Sequence, residues 1–156
     1  MEDALSWILL GLLVLMLVAA SIEDLKSRTI ANGLNIAIAL LAIPFWWSTG
    51  LALWPDVAIQ VGVAALVFAL FAAAFAFGAM GGGDVKLLGA VALWLPAPAV
   101  PALIVIMSLA GGALTLAMYI RHRLARREGR LEIPYGVAIS FGALWLISER
   151  FLNHFG

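Results

Sequence analysis

The sequence predicts an all-α integral membrane protein: six transmembrane helices joined by short loops, the fourth helix short, with both termini outside. Three observations predict it. The first is composition. Of 156 residues, 65% are hydrophobic and 12% charged, and mean hydropathy is +1.10, whereas soluble globular chains hold about 45–50% apolar and about 25% charged residues. The second is the gathering of apolar residues into long charge-free runs, since a helix needs roughly 20 of them to cross a bilayer core of about 30 Å. The third is that nearly all basic residues fall in alternate loops.

The same arithmetic excludes other classes. So apolar a chain cannot cover a core with polar surface in water, which argues against a soluble enzyme, a disordered chain or a nucleic-acid-binding domain. The formal net charge is +0, so no overall basic field attracts polyanions. The chain has no Cys, which removes disulfide frameworks, thiol nucleophiles and Cys-type zinc sites. His122 and His154 lie far apart in sequence, and neither a metal site nor a cofactor is expected.

The first span is Ala4 to Ile22. It is read as a retained helix rather than a signal peptide, because the residues before it include Glu2 and Asp3 and no Lys or Arg. The second falls within Thr29 to Pro55. Asn32, Gly33 and Asn35 begin it, Pro44 is a candidate kink, and Trp46, Trp47 and Trp54 suit an interfacial belt at its far end. Val57 to about Gly78 is the third. The next uncharged stretch, Leu87 to Ile120, is too long for one span and is broken by Pro96, Pro98 and Pro101. It divides into a short fourth helix ending near Leu95 and a fifth from about Ala102 to Ile120. The sixth runs from about Pro134, a first-turn proline, to Ser148. The runs do not alternate apolar and polar residues, which argues against a β-barrel.

Six spans place both termini on one side. The loops on the other side carry Lys26, Arg28, Lys86, Arg121, Arg123, Arg126, Arg127 and Arg130, against Arg150 alone opposite. The positive-inside rule makes the basic side cytoplasmic. The run from Arg121 to Arg130 sets topology in the simplest reading and suits contact with anionic headgroups as well.

Acidic residues at membrane depth are costly and are functional candidates by default. Asp24 closes the first span beside Lys26 and Arg28; the plain alternative is an ordinary interfacial acid. Glu23 points roughly 100° away around the helix, so only one of the two faces the interior. Asp84 follows Gly81-Gly82-Gly83. Asp84 to Pro96 spans about 18 Å of helix, short of the roughly 30 Å core, which sets Asp84 below the membrane surface. The plain alternative here is a Gly-rich loop with a capping Asp. The glycines are expected to end the third helix, to allow positive φ, and at Gly81 and Gly83 to admit a close substrate backbone. Two carboxylates sharing a site cannot both ionise cheaply, so one keeps its proton near neutral pH. That asymmetry suits amide hydrolysis without a cofactor. Lys86 is a candidate partner of Asp84 or of a substrate carboxylate, or else a snorkelling charge.

At these residues the chain resembles the type IV prepilin peptidases, which are GxGD intramembrane aspartic proteases, and within them the small Flp-pilus (tight adherence) branch. Three blocks carry the likeness: Asp24-Leu25-Lys26-Ser27-Arg28-Thr29-Ile30-Ala31-Asn32, Gly81-Gly82-Gly83-Asp84-Val85-Lys86-Leu87, and Ile133-Pro134-Tyr135-Gly136-Val137-Ala138-Ile139. Ala31 departs from the family's usual Pro. The resemblance implies Asp24 and Asp84 as the catalytic pair. Gly81, Gly83, Lys86, Asn32, Tyr135 and Gly136 are then candidates for binding substrate or shaping the loops. It implies one membrane-embedded peptidase domain over residues 1–156, in the inner membrane with the site on the cytoplasmic side. The four-cysteine zinc insertion of the larger members is missing, so peptidase activity without methyl transfer is expected. The implied substrate is a membrane-anchored prepilin with a short basic leader, cut after a Gly; no nucleic-acid partner is expected. An archaeal-type preflagellin peptidase, a small proton- or cation-coupled transporter and a non-catalytic assembly factor are the rival readings.

Overall fold

The computed structural model describes residues 4–125 and 132–155, with side chains through Arg150. Among the described residues six α-helices follow one another: α1 (Ala4–Ser27), α2 (Asn32–Ser48), α3 (Ala58–Ala76), α4 (Gly82–Ala92), α5 (Val100–Leu124) and α6 (Tyr135–Phe155). Short turns over Leu53–Val57 and Ala97–Ala99 lead into α3 and α5. No strand occurs among the described residues. Three helical stretches, Ala4–Ser27, Leu53–Ala76 and Ala97–Leu124, are long and apolar enough to cross a membrane, and Asn32–Ser48 is a shorter apolar helix. The basic run's Arg126, Arg127 and Arg130, like Glu2 and Asp3, lie outside the described residues.

The expected short fourth helix is present and lies at the centre. It packs against α2, α3 and α6, and from Asp84 to Ala92 every residue except Lys86 is buried. Its 11 residues rise only about 16 Å. A helix ending inside an apolar bundle leaves carbonyls that need donors from the protein. Buried Gln60 of α3 supplies them, donating from Nε2 to the carbonyls of Ala92, Leu93 and Leu95. The Trp46 indole N–H donates to Leu93 O at 2.8 Å, so Trp46 serves this end of α4 rather than a simple interfacial belt. Trp94 is buried and donates to Ile38 O at 2.8 Å. Trp47 and Trp54 remain exposed. Around α4 the core is built from Leu13, Leu17, Ile38, Leu87, Leu88, Val91, Leu103 and Ile139, all fully buried. α2 runs unbroken through Pro44.

The three glycines do not end α3. That helix stops at Gly78, whose φ of +71° closes a Schellman turn: Gly78 N–H donates to Phe75 O and Ala79 N–H to Ala74 O. Gly81, at φ −73°, instead precedes the first turn of α4, and neither Gly82 nor Gly83 has positive φ. The sequence expectation of positive φ therefore falls three residues too late.

Candidate active site

α1 continues past the hydropathic boundary at Ile22 for one more turn, which carries Asp24 inward. The turn ends at Arg28, with φ 55°, whose N–H donates to Asp24 O at 3.0 Å as in an αL cap. Asp24 is 3% exposed. Glu23 points elsewhere, as the helical angle requires, and accepts the Ala31 N–H at 2.9 Å. It thereby pins the loop between α1 and α2 where the family-typical Pro is absent.

Asp84 stands at the third position of α4 and is 7% exposed. Its carboxyl folds back toward the Gly81 N–H, in the manner of a capping box. The plain capping alternative is thus part of the geometry, and it fixes the side chain's direction. The two carboxyls lie within electrostatic reach of each other. They converge on the start of α6: Val137 N–H donates to Asp24 Oδ2 at 3.2 Å, and the Gly136 N–H faces both acids. The exposed N–H groups of a helix start carry partial positive charge and favour anions. The Arg28 guanidinium adds positive charge near Asp24, and its Nη1 is buried with no hydrogen-bond partner among the described residues.

The glycines at this junction are set by contacts within the chain. A methyl built on Gly136 would stand 2.8 Å from Asp24 Oδ2 and 2.7 Å from Ile30 Cδ1. On Gly81 it would stand 2.9 Å from Asp84 Oδ2, and on Gly83 it would meet the Ile30 backbone N at 3.3 Å. On Gly82 it would touch only the Phe75 ring, at 3.4 Å. Gly83 is therefore filled against the loop that follows Asp24.

The other sequence candidates divide. Tyr135 packs its ring over Gly111 of α5. Lys86 is exposed and donates to Asn32 Oδ1 at 2.9 Å; this bond ties α4 to the start of α2 and leaves neither residue on a carboxyl. Asn35, seen in the sequence only as a helix-start residue, is buried and donates from Nδ2 to Gly83 O at 3.3 Å. Asn35 and Ile30, which meet Gly83 beside Asp84, are positioning residues that sequence reasoning passed over; it also passed over Gln60, which anchors the far end of α4 and whose available signal was a lone polar side chain inside a charge-free run. Among the described residues no three His, Asp or Glu gather where they would hold a metal ion.

Comparison with known families matches residues 11–116, more than half of the chain, to the type IV leader peptidase family. The chain belongs to that family. Membership identifies it as a leader-peptidase-like protease and implies a membrane-anchored, prepilin-type substrate. No curated protein and no solved structure matches the chain significantly. The matched region contains both aspartates and stops before Pro134-Tyr135-Gly136.

Proposed function

We propose that the protein is an intramembrane aspartic endopeptidase of the Flp-pilus type, which removes the leader of a prepilin at the cytoplasmic boundary of the inner membrane. One observation carries the reading: two buried carboxyls, Asp24 and Asp84, brought from helices 60 residues apart in sequence to the same N–H edge at Gly136. Nothing in helix packing alone calls for adjacent acids there, and burying such groups is costly.

The pair holds one proton between its two members. The ionised carboxyl takes a proton from a water molecule, whose oxygen bonds to the carbonyl carbon of the scissile peptide. The protonated carboxyl hydrogen-bonds the carbonyl oxygen as that oxygen gains charge. When the C–N bond breaks, a proton passes from the pair to the leaving amine, and the acid regains its starting state. The Gly136 and Val137 N–H groups hold the carboxyl oxygens in place throughout. Gly81 and Gly136 keep methyl groups out of the volume the carboxyls occupy. No metal or organic cofactor enters these steps.

The reading takes all six helices to cross the membrane with the α1–α2, α3–α4 and α5–α6 loops in the cytoplasm, the leader's side; the basic residues of those loops support it. The test is co-expression of the chain with a Flp-type prepilin. Conversion to a shortened product whose new N-terminus follows the leader Gly is expected. Unprocessed prepilin beside well-inserted protein would overturn the reading.

A further inference from the structure

The two acids have like hydrogen-bond surroundings and unlike charge surroundings. Each faces two backbone N–H groups, Gly136 and Val137 for Asp24, Gly81 and Gly136 for Asp84. The Arg28 guanidinium lies within electrostatic reach of Asp24, whereas the strongest charge acting on Asp84 is Asp24 itself. Lys86, two residues after Asp84, is exposed and donates to Asn32 Oδ1.

Arg28 is held beside Asp24 by the end of α1. Its φ of 55° is the one positive value at a described non-Gly residue, a conformation that strains any residue with a Cβ and persists where the surroundings enforce it. Its N–H closes the last turn on Asp24 O at 3.0 Å. Its Nη1 is buried and has no hydrogen-bond partner among the described residues. A buried cationic group needs an opposite charge. The neighbouring acid, Glu23, accepts the Ala31 N–H at 2.9 Å, which leaves the charge of the carboxyl pair to compensate Arg28. The other elements packed on α1 bring no competing charge. α2 contains no ionisable residue, Tyr135 of α6 packs over Gly111, and Glu149, Arg150 and His154 lie more than about three turns beyond Gly136. Lys26 is exposed. In a pair that holds one proton, the member on which a cation acts more strongly ionises, and the other keeps the proton.

Resting on the peptidase reading, we propose that Arg28 is a positioning residue that keeps Asp24 the ionised member of the pair, so that Asp24 is the base and Asp84 the acid. Asp24 takes a proton from the attacking water and later gives it to the leaving amine. Asp84 hydrogen-bonds the scissile carbonyl oxygen and ends with the proton it began with.

Asp84→Asn and Asp24→Asn each leave a single carboxyl of the pair, so each acid can be titrated without the other. Difference infrared spectroscopy of the purified full chain in detergent follows the protonated-carboxyl band of the remaining acid against pH. Adding Arg28→Gln to Asp84→Asn should raise the Asp24 midpoint by about one pH unit or more. Adding it to Asp24→Asn should move Asp84 by less than half as much. Arg28→Gly, which takes φ 55° without strain, should shift Asp24 as Arg28→Gln does and so separates the charge from the turn. Arg28→Lys should keep the midpoint nearer to that of the Arg28 protein, and Lys26→Gln should leave it in place. An unmoved Asp24 midpoint, an equal or larger move at Asp84, or an equal move with Lys26→Gln would each overturn the proposal. In the chain with both aspartates, Arg28→Gln should carry the acidic limb of kcat/KM for prepilin cleavage to higher pH, because the base must first lose its proton. A loss of equal size at every pH would reduce Arg28 to a structural role and overturn the proposal as well. Failure of the wild-type chain to cleave removes the peptidase reading, and the infrared titration still decides whether Arg28 governs Asp24.

Discussion

Asp24 and Asp84 stand out at the residue scale because each is an acid with no surface to reach. Asp24→Asn and Asp84→Asn each keep side-chain shape yet remove the capacity to exchange a proton. Both variants should insert normally and lose prepilin cleavage by at least about a hundredfold, on the scale of removing a general acid or base. Glu23→Gln still offers an oxygen to the Ala31 N–H, and Asp56 is an exposed acceptor for Ala52 N–H, so Glu23→Gln and Asp56→Asn should retain most activity. Immunoblotting of the product, normalised to inserted enzyme, checks all four. The glycines rank by what a methyl would strike. Gly136→Ala should be the most damaging, because it meets both the Asp24 carboxyl and Ile30 below 3 Å. Gly81→Ala displaces the Asp84 carboxyl, Gly83→Ala should cost about 1–3 kcal/mol by overpacking, and Gly82→Ala should be mildest. Wild-type cleavage by Gly136→Ala would remove the tight junction from the mechanism. The acids were legible in the sequence because charge at depth is conspicuous. The glycine roles were not, because Ile30 meets Gly83 and Gly136 only after the chain has folded.

α4 shows what hydropathy reads at the scale of an element and what it misses. Its brevity was legible from the spacing between Asp84 and the prolines that follow it. Its central place was not, since an 11-residue helix buried on nearly every side carries no apolar stripe to announce which neighbours cover it. The long extension of α1 through Glu23 and Asp24 to Ser27 escaped for a related reason: apolar runs stop where the membrane's oily core stops, whereas the helix continues on its own hydrogen bonds. The close of α3 near Gly78 was legible as the end of the third span, but not that Gly78 itself carries the positive φ, because a Schellman turn is decided by the last turn's geometry and the glycine cluster further on merely draws the eye. The end of α4 depends on Gln60 at three carbonyls. Gln60→Leu leaves those acceptors short of donors in an apolar setting, and the loss should be about 1–3 kcal/mol. Thermal unfolding in detergent should show a lowered Tm. Protein that remains folded should still cleave prepilin, because Gln60 lies at the end of α4 opposite Asp84. An unchanged Tm would mean that Trp46 alone suffices for Leu93 and that the other carbonyls find partners elsewhere.

For the whole molecule, the direction in which the bundle faces decides whether the pair can meet a leader at all. Asp24 ends α1 and Asp84 begins α4, so if each of the first three helices crosses the bilayer, both acids fall at the same face. α6 begins at that face, since Val137 N–H in its first turn donates to Asp24 Oδ2 and Gly136 N–H faces both acids. The packing of the site is therefore consistent with the alternation that six crossings require, and the positive-inside rule then predicts that this face is cytoplasmic, since all of the nine Lys and Arg but Arg150 fall in its loops or in the helix ends beside them. Carrying Arg121, Arg123, Arg126, Arg127 and Arg130 outward would oppose the membrane potential at about 2.3 kcal/mol per charge per 100 mV. A reporter fused at Arg127 should accordingly be active only as a cytoplasmic marker, and reporters at Thr49 and after Gly156 only as external ones. The Thr49 fusion is the most informative of the three, because it follows α2, whose 17 residues fall just short of the roughly 20 expected for a full crossing. An external signal there means that α2 crosses despite its length, helped by tilt or local thinning of the bilayer. A cytoplasmic signal at Thr49 would make α2 re-entrant, leave five crossings, and put the α3–α4 turn with Asp84 on the opposite face from Asp24, which the shared Gly136 contact forbids; that result would overturn the arrangement of the site itself.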